Sequence, residues 1–120
     1  MMNTILIKSH PNDGLKYIII PEDTNVEFIA KKFKISESKL MKWNELESDV
    51  LKKNEIVFLE SKNSEGNTAT YKAEPGEDMH DIAQKFGIKL NKLYAKNRMD
   101  EGQKPTPGQL IYLIDKKPRN

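Results

Sequence analysis

Apolar positions along the chain fall into short clusters, and the clusters come in two matching sets. Val26, Ile29, Ala30 and Phe33 stand at i, i+3, i+4 and i+7, one stripe on a helix, and Met79, Ile82, Ala83 and Phe86 repeat that spacing. Laying Phe33 over Phe86 sets an offset of 53 residues, which still holds at Leu40 over Leu93 and Asn44 over Asn97. Ile56-Val57-Phe58-Leu59 then lies over Leu110-Ile111-Tyr112-Leu113 at an offset of 54, so one residue is inserted on the way. Chance supplies one such match; an ordered series marks an internal repeat.

Each copy reads strand, helix, helix, strand. In the second, Thr70-Tyr71-Lys72-Ala73 is a short strand, and Pro75-Gly76-Glu77-Asp78 is a turn that puts carboxylates at a helix start, where the dipole favours them. Gly87 suits a left-handed C-cap, and Leu90, Leu93, Tyr94 and Asn97 carry a second helix. Pro105-Thr106-Pro107-Gly108 forces a turn before an apolar strand over 110–114. In the first copy, residues 17–20 form a strand, Ser36 caps a helix bearing Leu40, Trp43 and Asn44, and residues 56–59 close the unit.

The expected class is α+β: two units, each βααβ, with a two-stranded antiparallel sheet and two helices packed on one face. The boundaries read as an N-terminal tail or extra strand over 1–15, a first unit over 16–60, a linker over 61–69, a second unit over 70–115 and a tail over 116–120. The linker reading rests on the polar run from Ser61 to Thr68, and the extra strand on Ile5-Leu6-Ile7. A unit of about 45 residues is near the lower limit for folding without staples, so most large side chains are committed to its core.

Composition narrows the function classes. Twenty basic and 18 acidic residues are interleaved, without the basic stripe that nucleic-acid binding requires. The Lys31-Lys32-Lys34, Lys52-Lys53 and Lys116-Lys117 runs read as solvated faces. Cysteine is absent, which excludes disulfides and thiolate metal sites. No apolar run approaches the roughly 18 residues of a membrane span, and residues 1–7 are too short for the apolar region of a signal peptide. If the chain is complete it is expected in the cytoplasm, and otherwise in the cell envelope.

The residues that invite a chemical reading each have a plainer one. A glycosidase needs two carboxylates about 5–9.5 Å apart in an enclosing cleft. Glu77, Asp78 and Asp81 instead sit where a helix start ordinarily collects acids, so no catalytic residue is expected. His80 lies beside Asp78 and Asp81, yet neighbouring helix positions face different ways, so it reads as a surface histidine and not a metal ligand. Trp43 and Tyr94 read as packing residues. Asn44 and Asn97 are expected to tie a helix end to loop backbone. No metal or cofactor is expected.

In this order the residues resemble the LysM family, whose repeat opens Y-x-V-x-x-G-D-T-L and runs through I-A, an aromatic residue, L-x-x-x-N and a Pro-Gly-Gln turn. Tyr71 to Met79, Ile82-Ala83, Phe86-Gly87-Ile88, Leu93, Asn97 and Pro107-Gly108-Gln109-Leu110 carry the resemblance in the second copy. Asp23-Thr24-Asn25-Val26, Ile29-Ala30, Phe33, Ile35-Ser36, Leu40, Asn44 and Asn54-Glu55-Ile56 carry it in the first. Lys16-Tyr17-Ile18-Ile19 and residues 89–94 are also similar to the C-terminal LysM pair of certain bacterial cell-wall glucosaminidases, which implies an upstream catalytic domain.

The resemblance implies non-catalytic binding of N-acetylglucosamine-containing polymer, peptidoglycan or chitin, in a shallow groove between the loop after the first strand and the loop before the last. Carried over, the second groove takes Gly76, Glu77, Asp78 and Met79 with Met99, Asp100, Pro105, Thr106, Pro107 and Gly108. The first takes Asp23, Thr24, Asn25 and Val26 with Leu46, Val50, Leu51 and Lys52. Met79 and Leu51 are expected as apolar walls. The family's Gly-Asp-Thr is Gly76-Glu77-Asp78 in one copy and Asp23-Thr24-Asn25 in the other. The second copy, which keeps the glycine, is expected to bind better. The divergence of both loops supports an alternative: a LysM-fold protein-interaction scaffold without a sugar groove.

Overall fold

The computed structural model describes residues 4–119, which form two compact units dividing between Lys62 and Asn63. The first contains β1 (Lys8–Ser9), β2 (Lys16–Ile19), β3 (Thr24–Asn25), α1 (Val26–Phe33), α2 (Glu37–Trp43), β4 (Val50–Leu51) and β5 (Ile56–Phe58). The second contains β6 (Thr70–Lys72), α3 (Met79–Phe86), α4 (Leu90–Lys96) and β7 (Leu110–Tyr112). The expected βααβ order holds in both.

The terminal strands pair antiparallel, Ile18 opposite Val57 and Tyr71 opposite Ile111. Two backbone bonds beyond each pair repeat between the copies. Asn54 N–H donates to Ile20 C=O and Gly108 N–H to Ala73 C=O, at 2.7 and 2.8 Å. Asn54 and Gly108 both have positive φ, 75° and 82°, so the same left-handed turn launches each closing strand.

Each pair of helices lays its apolar stripe on its own sheet. Ile18, Ile20, Val26, Ile29, Leu40, Leu51 and Val57 make one core, and Met79, Ile82, Ala83, Ile88, Leu93, Ile111 and Leu113 the other. Helix starts are capped by Asn25, Ser36 and Asp78, the last in a reciprocal box with Asp81, while Lys89 supplies no side-chain cap. Gly87 ends α3 at φ 69°, and Lys34 ends α1 in the same left-handed region at φ 57°.

Asn44 and Asn97 hold the two layers together. Asn97 Nδ2 donates to Leu93 C=O and Tyr112 C=O, both at 2.9 Å, and its Oδ1 accepts from Tyr112 N–H at 2.7 Å. Asn44 does the same with Leu40 and Phe58. Their partner is therefore the closing strand, not a loop.

Three expectations are corrected. The extra strand is Lys8–Ser9, paired with Lys16 and Tyr17, and not Ile5-Leu6-Ile7; Leu6 and Ile7 are exposed. The turn over Pro11–Gly14 fixes this hairpin, closed by Gly14 N–H to His10 C=O. His10 is buried, its ring edge-on to Tyr17 and its Nδ1 accepting from Asn12 N–H at 2.9 Å. The 61–69 stretch is not free linker. Lys62 is buried on the Phe58 ring with its ammonium on the Glu45 carboxylate, Asn63 bridges to Ile88, and Gly66 N–H bonds Leu113 C=O. A Cβ on Gly66 would lie 3.2 Å from Ile88 Cδ1, so this glycine lets backbone approach the second core. Trp43 is half-buried and stands outside the first core cluster, whereas Tyr94 packs against the second.

Candidate functional site

In the second unit, one rim of the candidate groove is the turn from Glu74 to Met79. Gly76 takes φ 84° there, with open space where a Cβ would be. Glu77 anchors the turn from beneath. Its Oε1 accepts from Glu74 N–H and Tyr71 O–H, both at 2.8 Å, and its Oε2 from Lys85 Nζ at 2.9 Å. Lys85 also donates to the Tyr71 hydroxyl and stands 4.7 Å from that ring's centroid. Burial by itself pushes the Glu77 carboxyl up, but the Glu74 amide, Lys85 and Tyr71 together hold it below its usual value.

That network sets a pH-dependent expectation. Glu77→Gln should lower stability by about 1 kcal/mol at pH 7, after allowance for the exposure of Lys85. A depressed folded-state pKa adds stability above the ordinary carboxylate range and loses it as pH falls through the folded value. Urea unfolding of the two proteins should therefore converge in acid; a constant gap would show that only packing is involved.

The opposite rim consists of two turns, each locked by a glutamine. Gln103 Oε1 accepts from Asp100 N–H at 3.1 Å and Gln109 Oε1 from Thr106 N–H at 2.9 Å. Gly76, Asp100, Thr106, Pro107 and Gly108 are exposed on the rims, and Pro105 half so. Asp78 is occupied as the α3 cap.

The first unit brings its rims into contact. β3 pairs with β4, Thr24 opposite Leu51 and Asn25 opposite Val50, and Val26 N–H donates to Asp49 C=O at 2.8 Å. Asp23 completes the closure: its Oδ1 accepts from Lys53 N–H at 2.9 Å, and its Oδ2 lies 3.7 Å from Lys52 Nζ. The Lys53 amide first, and the Lys52 charge after it, hold the Asp23 carboxyl below its usual value. Asn25 is engaged as the α1 cap.

Matching bonds show why the second unit differs. Leu46 N–H to Met41 C=O corresponds to Met99 N–H to Tyr94 C=O, an offset of 53. The Lys52–Glu55 turn corresponds to Thr106–Gln109, an offset of 54. The inserted residue thus lies between Met99 and Thr106, and Pro105 occupies the place of Leu51. Proline has no amide hydrogen to give a ladder. Among the described residues no strand pairing joins Glu77–Asp78 to residues 103–105.

Four expected site residues turn their side chains elsewhere. Met79, Val26 and Leu51 are 0–1% exposed and Met99 9%, so none is a groove wall. They follow the apolar periodicity of the core, and only their backbone reaches the rim. Leu46 packs on the first core as well. The apolar surface left at the rims is Val50 in the first unit and Pro75, Pro105 and Pro107 in the second. The supports Tyr71, Lys85, Gln103 and Gln109 were not foreseen as site residues. The Tyr71-to-Lys85 spacing of 14 residues carries no local signal; Gln109, in the Pro-Gly-Gln turn, does.

The family model described as LysM domain matches residues 17–54 and 71–113, and the chain belongs to that family. No curated protein sequence matches it. Among solved structures it is similar to the spore cortex-lytic enzyme SleL of Bacillus cereus, at 19% identity and TM-score 0.37, over 88% of this chain and 24% of that one. It is also similar to SleL of Bacillus megaterium QM B1551, at 21% identity and TM-score 0.36, over 86% and 23%. The chain thus spans about a quarter of the length of these enzymes. Among the described residues no helix is long and apolar enough to cross a membrane.

Proposed function

We propose that the chain is a non-catalytic binding module for N-acetylglucosamine-containing polymer, acting mainly through the furrow of its second unit. The observation that carries this reading is that, among the described residues, no strand pairing joins the two rims of that unit, where Pro105 stands in the place of Leu51 and Gly76 leaves backbone bare. The sugar's acetamide and hydroxyls would exchange water for rim amides and carbonyls, and its apolar faces would rest on Pro105 and Pro107. Each such bond nets roughly 0.5–1.5 kcal/mol, so a single furrow should bind weakly, at millimolar to high-micromolar Kd. A polymer offers many sites, which suits targeting to bacterial cell wall, in the envelope or outside the cytoplasm, beside an upstream hydrolase domain.

The ladder in the first unit favours the alternative reading for that half, a scaffold that does not hold sugar. Titration of the isotope-labelled chain with N-acetylglucosamine tetramer separates the two. Saturable shifts should appear at amides of residues 74–79 and 99–108 and be small at 23–26 and 50–52. Absence of saturable shifts in either unit removes the glycan reading.

A further inference from the structure

A second recess of about 450 Å³ opens beside the far rim of the second unit, with Arg98, Gln103, Gln109, Lys117 and Arg119 among its lining residues and Met99 beside them. Among the described residues its charge is one-sided: three cations line it and no carboxylate does. Among the described residues none of the three is in an ion pair.

The donors are aimed and unspent. Arg98 sits in the left-handed region at φ 55°, and its Nε donates to Lys117 C=O at 2.8 Å. That bond fixes the guanidinium plane and leaves both Nη groups without a protein partner among the described residues. The side-chain oxygens of Gln103 and Gln109 are taken by Asp100 and Thr106 N–H, so each amide turns its NH2 away from its own turn. The first unit offers a control within the same chain. Glu45 holds the equivalent left-handed position at φ 44°, and there Lys62 neutralises it. The repeat closes this place with an internal ion pair in one copy and leaves it cationic in the other.

We propose that this recess is an anion site, and that it receives a carboxylate borne on the glycan strand lying in the adjoining furrow. Gln103 and Met99 belong to the furrow's rim, so a substituent one sugar along falls within reach. A guanidinium edge flanked by amide donors suits the two oxygens of a carboxylate. Peptidoglycan carries a lactyl ether on every second sugar, whose carboxyl is free wherever no stem peptide is amide-linked to it, and chitin carries none. The site would therefore select the acidic polymer over the neutral one. The strand's placement rests on the glycan reading above; the anion site does not.

The test follows the Arg98 Nε and Gln109 side-chain signals of the full chain during titration with four probes: neutral N-acetylglucosamine tetramer, a tetramer alternating with its lactyl-acid sugar, D-lactate and inorganic phosphate. The acidic tetramer should bind roughly five- to tenfold tighter than the neutral one at low salt. It alone of the two should move Arg98 Nε. The Lys117→Gln, Arg119→Gln double variant keeps the backbone bond to Arg98 and should shrink that advantage without changing affinity for the neutral tetramer. Equal affinities, or an advantage undiminished in the variant, overturn the proposal while leaving the furrow standing. If neither tetramer binds, the furrow reading fails, and lactate then decides the recess. A lactate shift at Arg98 Nε that the double variant weakens upholds it; no shift, or a response to phosphate alone, overturns it.

Discussion

Asn97→Ala should lower the stability of the second unit by about 3 kcal/mol or more, enough to unfold most of a domain this small. The residue is 2% exposed and makes three hydrogen bonds to backbone at both ends of the fold. Alanine leaves the part-buried Tyr112 N–H and C=O without their side-chain partner and opens a void between α4 and β7. Each orphaned group costs about 1–3 kcal/mol, and the void adds to that. Asn97→Asp should fail as well. It keeps an acceptor for Tyr112 N–H but turns an oxygen on two carbonyls. Asn44→Ala should have a matching effect on the first unit, where Phe58 takes the place of Tyr112. Urea unfolding measures both, and a midpoint unchanged in either variant would show that water replaces the amide without loss.

The second large effect is asymmetric. Lys62 buries its side chain completely beside a Glu45 that keeps 25% exposure. Glu45→Ala removes the counter-charge from an ammonium held away from water and should cost about 3 kcal/mol, at the low end for breaking a buried pair because Glu45 is partly wet. Lys62→Met should lie between no change and a gain of about 2 kcal/mol, since methionine fills the same channel over Phe58 without a charge to desolvate. Burial already draws the Lys62 pKa below its usual 10.5, against the pull of Glu45. The folded state therefore binds fewer protons there than the unfolded one, and stability rises with pH between the depressed value and 10.5. In Glu45→Ala that rise should be steeper and start lower. Thermal melts across pH 7–10.5 check it, and a flat Glu45→Ala profile would mean that the lysine escapes to solvent.

Much of the architecture was legible because it depends on periodicity. The stripes of α1 and α3, the Ser36 cap, the left-handed Gly87 and the paired terminal strands all follow from local chemistry repeated twice. Asn44 and Asn97 were visible as structural residues, though not the strand they clasp, because that choice lies 14 and 15 residues away. What escaped was decided by tertiary packing. Ile5-Leu6-Ile7 is the more strand-like triplet, yet the Pro11–Gly14 turn sets the register and pairs Lys8–Ser9 instead. Lys62 sits in a polar run that reads as linker, and only the fold gives it a cavity and a counter-charge.

The groove was half legible. The two loops lie where the repeat puts them, after the first strand and before the last, but Met79 and Leu51, expected as walls, follow their helical and strand spacing into the interior. β3 and β4 are two residues each, too short for any alternation to announce them. The meaning of Pro105 emerges only once Leu51 is seen opposite Thr24.

A duplicate whose mouth is shut by its own main chain is answerable to folding alone. Exposed side chains there, such as Val50 and Lys52, are at liberty to change so long as the hairpin survives. On the glycan reading proposed above, the residues Gly76, Thr106 and Pro107 would also have to satisfy an external polymer. Two copies of one blueprint thus live under unequal constraint, and a saturation-substitution survey would show tolerance at one mouth and intolerance at the other.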